Sequence, residues 1–393
     1  MEALARMAKT RHVSSRRPAL VQIAALDRML ASSVLLGIVS AAHNMNALIQ
    51  ALRGGDLDAV RAAIEADPKV ARQARVVGAA AGRAMQPALV LLKEAGADLN
   101  ASWRNYRPLH NLLQGEPHAA AGKPAPTRLA CLEWLLDNGA DPEQLGAWPS
   151  ARAIIVAAFV GSPEYVKVLR KGGAKIDGFA GAALGDRRLV EKALHERPDF
   201  ARDRDHGGLT ALQCAAGSRM PKADTLGIAR LLIDAGAEVG ALTRSWAHDV
   251  NAAYFAAGRK DKAMFDLLLA SGADATDALS HAVWGGAYEL AESALDHGAA
   301  IDRATANGKP LLNDLIRWGQ IPQMTWLLEH KASPNVPDER GWTAVHQAAS
   351  RGKVRIMRAV LEAGGDPRHR DSEGRTPRDV TMSGKLAEML IAY

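Results

Sequence analysis

Apolar residues recur along this chain in short runs at helical spacing, and most runs end on a glycine. In Val354–Ala363, Ile356, Met357, Val360 and Leu361 fall three and four apart, on one face of a helix. Gly364 follows, and glycine is the residue that best takes a left-handed helix stop. Upstream, Ala344–Ser350 is small and apolar, opens on Thr343 as a cap or first-turn residue, and breaks at Arg351-Gly352. The stretch therefore predicts two short helices joined by a tight turn. The same construction puts Leu57, Val60 and Ile64 inward behind a capping Asp56 and before Asp67-Pro68. It puts Leu189, Val190 and Leu194 inward between Gly185-Asp186 and Arg197-Pro198.

The stops set a period. Gly96, Gly139, Gly173, Gly236, Gly272, Gly298 and Gly364 each close a predicted second helix, with Lys331 in the glycine slot once. Their spacings are 43, 34, 63, 36, 26, 33 and 33, and the 63 holds two units because Arg197-Pro198 falls inside it. One helical pair cannot bury its apolar face alone, so a period near 33 implies a stack of pairs.

At Asp338–His369 the pattern resembles an ankyrin repeat, whose consensus runs G-x-T-P-L-H-x-A-A-x-x-G and ends in L-L-x-x-G-A-D. Gly341, Thr343, Val345, His346, Ala348, Ala349, Gly352, Leu361, Gly364 and Asp366 match, with Ala344 where proline usually stands. Looser forms of the T-P-L-H tetrad are Arg107-Pro108-Leu109-His110, Thr210-Ala211-Leu212-Gln213, Lys309-Pro310-Leu311-Leu312 and Thr376-Pro377-Arg378-Asp379. The units at 70–100, 177–201 and 275–301 lack it. The resemblance implies an all-α solenoid of helix-turn-helix units with short β-hairpin connections, about ten repeats and a C-terminal cap from Asp371. The solenoid is expected over residues 41–393. Gln114–Thr127 and Gly217–Thr225 are expected as loops inserted between paired helices, the first of them mobile.

Residues 1–40 read as a separate extension, poorly ordered or loosely attached. Met29–Ala42 has the length of a signal-peptide apolar region, so a secreted or envelope-facing protein stands beside a cytoplasmic one. The net charge is +6, and +4 of it falls in the first 28 residues. The rest is nearly balanced, which argues against a nucleic-acid-binding face. Cys131 and Cys214 stand alone, with neither a disulfide framework nor a CxxC pair, which favours a reducing compartment.

No phosphate-loop, nucleophile-elbow, zinc-protease or EF-hand signature is present. No catalytic, metal or cofactor residue is assigned, and no membrane span is expected. The resemblance implies that His110 and His346 brace neighbouring hairpins. Trp134 and Trp326 occupy apolar slots of second helices and are expected in the core. Trp103, Tyr106, Arg107, Trp148, Arg244, Trp246, Arg340 and Trp342 fall in or beside hairpins, with Arg104 nearby but not itself a candidate. Trp284 and Trp318 follow the small-residue core of two first helices and are expected on the concave side. Trp, Tyr and Arg dominate interface energies. These ten residues are the candidate contacts of a monomeric, non-enzymatic scaffold for a protein partner. The alternative class is an enzyme or toxin with a site of scattered polar residues.

Overall fold

The computed structural model describes residues 44–115, 124–245, 249–303 and 309–393. The expected extension, Met29–Ala42, most of the first inserted loop and Trp246 lie outside the described residues.

Ten helical pairs follow one another among the described residues. Their first helices are 44–54, Ala74–Gly82, Pro108–Gln114, Ala153–Val160, Gly178–Leu184, Ala211–Gly217, Ala252–Arg259, Ala275–Trp284, Leu311–Trp318 and Ala344–Arg351. The second helices are Leu57–Ala66, Gln86–Glu94, Pro126–Asp137, Pro163–Lys171, Arg187–Glu196, Thr225–Asp234, Lys262–Ala270, Tyr288–Asp296, Ile321–Glu329 and Val354–Glu362. A shorter pair, Pro377–Val380 and Gly384–Ala392, closes the described chain. The units lacking the tetrad are helical pairs like the rest. First helices are rich in alanine because they pack against their neighbours' first helices as well as their own partners. All seven residues of Ala211–Gly217 are buried.

Every expected stop residue takes the left-handed conformation, from Gly96 at φ 86° to Gly364 at φ 90°, and Lys331 joins them at φ 68°. After each stop, the next amide donates to a carbonyl five residues back, as in Ala97 N–H to Leu92 O at 2.9 Å and Ala332 N–H to Leu327 O at 3.0 Å. This bond ends the helix and turns the chain toward the next hairpin. A side chain at positive φ is strained, and the Lys331 side chain is exposed. Lys331→Gly is therefore expected to raise stability by about 0.5–1 kcal/mol, read from the urea midpoint.

Side chains at the third helical position join neighbouring repeats. His110 Nε2 donates to Ala151 O at 2.9 Å, Gln213 Nε2 to Ala241 O at 2.8 Å, and His346 Nε2 to Arg375 O at 3.1 Å. The fourth such bond runs from Asn313 Nδ2 to Trp342 O at 2.8 Å. The slot expected at Lys309–Leu312 is thus displaced by one residue, since Pro310 is the cap and Asn313 the brace.

At the other end of the first helices, arginines reach the terminal carbonyls. Arg83 donates to Leu52 O and Arg53 O, Arg128 to Leu112 O and Gly82 O, and Arg259 to Ala215 O and Ala216 O. Arg219 donates to Gly258 O at 2.8 Å. A cation at a helix C-terminus meets unsatisfied carbonyls and the negative end of the helix dipole.

Candidate protein-binding surface

The hairpin before Pro108–Gln114 is built on two residues at positive φ, Arg104 at 51° and Asn105 at 67°. That pair makes the two-residue turn whose twist suits a hairpin, and Trp103 and Tyr106 exchange both backbone bonds across it at 3.0 Å. The neighbouring hairpin locks the turn. Asn105 O accepts from Ala147 N–H at 2.8 Å, Asn105 Nδ2 donates to Ala147 O at 2.5 Å, and Trp148 Nε1 donates to Arg104 O at 3.2 Å.

Of the candidates here, Trp103 is the one presented to solvent, at 41% exposure. Guanidinium groups of Arg75 and Arg104 lie 5.4 and 4.7 Å from its ring centre, close enough for cation–π attraction. Tyr106 is half-buried, and burial raises its hydroxyl pKa. Arg107 is half-buried and committed to the backbone, donating to Leu145 O at 2.8 Å and to Asn100 O.

Further along, Thr243–Arg244 pairs antiparallel with Asp249–Val250. Arg244 is exposed and 3.4 Å from Asp249, while Thr243 Oγ1 donates to Gly208 O in the preceding hairpin at 2.7 Å. Arg340 is exposed and lies 4.4 Å above the Trp342 ring. Trp342 itself is tied down, because its Nε1 donates to Asp371 Oδ2 at 3.0 Å and its carbonyl accepts from Asn313.

Asp205, Asp338 and Asp371 open hairpins of the same form. In each, one carboxylate oxygen accepts from the amides two and four residues on. Burial would raise the Asp371 carboxyl pKa. Bonds from Arg375, the Glu373 amide and the Trp342 indole more than offset it and hold the pKa at about 2. Asp205 has Leu209 where Asp371 has Arg375, and its second oxygen is without a partner among the described residues. Burial accordingly leaves its carboxyl raised.

Trp284 and Trp318 occupy the other edge. They end first helices of ten and eight residues, which rise about 15 and 12 Å at 1.5 Å per residue. Both are therefore separated from the hairpins by a helix length. Trp318 is 64% exposed, with Arg317 5.9 Å from its ring, and Trp284 is half-buried. Trp326 is 7% exposed and stacks on Tyr288 and His330; Trp134 is half-buried beneath Lys93.

The sequence did not signal Arg75, because its ring partner lies 28 residues downstream. It also did not signal the ionic cluster at Arg152, which is 6% exposed. Arg152 meets Asp177 at 2.8 Å and Glu143 at 3.3 Å, carboxylates from two different linkers. Among the described residues no group of three or more His, Cys, Asp and Glu is placed to hold a metal, and no helix is long and apolar enough to cross a membrane.

Residues 327–380 match the family model for ankyrin repeats in many copies. An ankyrin repeat-containing protein of Schizosaccharomyces pombe is 39% identical over 64 residues, 16% of this chain and 31% of that protein. The 2-5A-dependent ribonuclease of Mus musculus is 32% identical over 80 residues, 20% of this chain and 11% of that enzyme. The chain thus spans less than a third of the length of either relative. Among solved structures, the ankyrin repeat domain of Bcl-3 aligns with 56% of this chain and 99% of its own, at 24% identity and a TM-score of 0.45.

Proposed function

Because this chain is an ankyrin-repeat protein, we propose that it is a non-enzymatic scaffold holding a partner protein along its hairpin edge. The observation that carries this is Trp103. A large indole stands 41% exposed beside two guanidinium groups, on a turn locked to the next repeat. A rigid aromatic–arginine surface gives contact area with little ordering entropy lost on binding. Arg244 and Arg340 extend the edge into later repeats. Tyr106, Arg107, Trp148 and Trp342 serve by holding the hairpins in place. Trp318 lies too far from this edge to share a small contact and belongs at most to a partner wrapping the concave face.

The ordinary location proposed is a reducing compartment. Both cysteines are buried, and burial pushes the Cys131 thiol up to about 12 against the opposing charge of Arg128. The test is quantitative affinity capture from the native cell, comparing the parent with a Trp103→Ala, Arg244→Ala, Arg340→Ala variant. At least one co-purifying protein should fall about ten-fold or more in the variant while its melting temperature holds. Equal recovery of every captured protein would remove this assignment.

A further inference from the structure

A cleft of about 690 Å³ opens between the second helices Pro163–Lys171 and Arg187–Glu196. Its floor is apolar, formed by Val166, Ile176, Leu184, Leu189 and Met220. Two glycines lie beneath its Arg187–Glu196 wall. A Cβ at Gly181 would stand 2.8 Å from the Leu189 Cβ, and one at Gly178 would stand 2.6 Å from the Ala193 Cβ and from Phe200. With no Cβ at either position, Arg187–Glu196 sits close on its own first helix. It packs on Pro163–Lys171 less closely than second helices do between repeats three and four, six and seven, and seven and eight.

The rim carries Arg170, Arg187 and Arg188 against one carboxylate, Asp186. Asp186 is engaged in capping, accepting from Leu189 N–H at 3.3 Å, and Arg187 is paired with Glu191 at 2.7 Å. Arg170 and Arg188 are exposed and make no ion pair among the described residues. An apolar floor beneath two uncompensated cations is complementary to an apolar group flanked by carboxylates. The cleft is open to solvent, so a small molecule would keep much of its surface in water, whereas ligand pockets usually enclose their ligands. A chain segment can instead lie along a groove between helices.

We propose that this cleft is a second binding site, taking a short acidic amphipathic segment of a partner protein. An aliphatic or aromatic side chain of the segment sits on the apolar floor, and its carboxylates pair with Arg170 and Arg188. The site is independent of the hairpin edge and can stand if that assignment fails.

The test is selection of 12-residue peptides from a random displayed library on the full chain, followed by titration of the enriched peptides. Peptides joining Glu or Asp to Leu, Ile, Phe or Trp should emerge. Their affinity should fall about ten-fold or more in Arg170→Glu/Arg188→Glu and, separately, in Met220→Glu, and it should weaken with added salt. Trp103→Ala should leave it unchanged. The proposal is overturned if no acidic-apolar peptide is enriched, or if enriched peptides bind the charge-reversed protein equally well. It is also overturned if octanoate, a free aliphatic carboxylate, displaces them completely at micromolar concentration, which would make the cleft a small-molecule site.

Discussion

Phe200→Ala is expected to destabilise the chain by about 3–5 kcal/mol, the range for emptying a buried phenylalanine site. Phe200 sits in the short 3-10 turn Pro198–Ala201, fully buried. Its ring lies 4.9 Å from that of Phe179, with the Arg197 guanidinium 5.0 Å from its centre. The turn packs on Arg187–Glu196 and on the next repeat's first helix, Ala211–Gly217. The lost ring therefore weakens a repeat and its junction together. In a stack where each unit touches only its neighbours, such a defect divides the array. Urea unfolding should change from one transition to two. The hairpins carrying Trp103 and Arg340 lie on opposite sides of the defect, so a partner spanning both should also bind less tightly. A single transition shifted by less than about 1 kcal/mol would show that the ring contributes little.

Acidification from pH 7 to pH 4 is expected to cost about 3 kcal/mol at one side chain, His110. The ring is fully buried; burial lowers its pKa from 6.5 to about 4, Arg107 adds to this, and the bond to Ala151 O opposes it. A histidine whose folded pKa lies below its unfolded one is stabilising while neutral. The contribution is complete above pH 6.5 and disappears as the pH falls toward 4. Repeat six supplies the control, since Gln213 makes the equivalent bond without titrating in this range. His110→Gln should keep most of the stability at pH 7 and flatten its loss below pH 6.5. Urea midpoints at several pH values measure the difference, and equally steep profiles for parent and variant would rule out the assignment. The functional counterpart is loosening of the hairpin that carries Trp148: the charged ring is driven toward water, and the bond it then abandons ends on Ala151 O in that hairpin.

The repeat frame was legible because each unit writes its own punctuation. A left-handed stop needs glycine or a strained substitute, so seven glycines and Lys331 mark it without knowledge of neighbours. The braces at His110 and His346 were legible only through the family's T-P-L-H tetrad, because the carbonyls they reach lie 41 and 29 residues away. The frame at Pro310 was less so, since proline fits both the cap and the first turn and the sequence alone does not choose. Exposure of the candidate aromatics was not legible. Trp342 is held by Asp371 and Asn313, each 29 residues away in a neighbouring unit, and Trp103 gains Arg75 from the unit before it. The cleft was invisible too, because its lining comes from three successive repeats rather than from any motif.

The arginines that clasp the helix ends bear on how such a chain can be shortened or spliced. Arg259 serves carbonyls of the preceding unit, and Arg219 serves one in the following unit. Excising repeat six or seven alone would leave a cation without its acceptor and a helix end without its donor. The repeats look interchangeable by length, yet these two can be transplanted only as a couple.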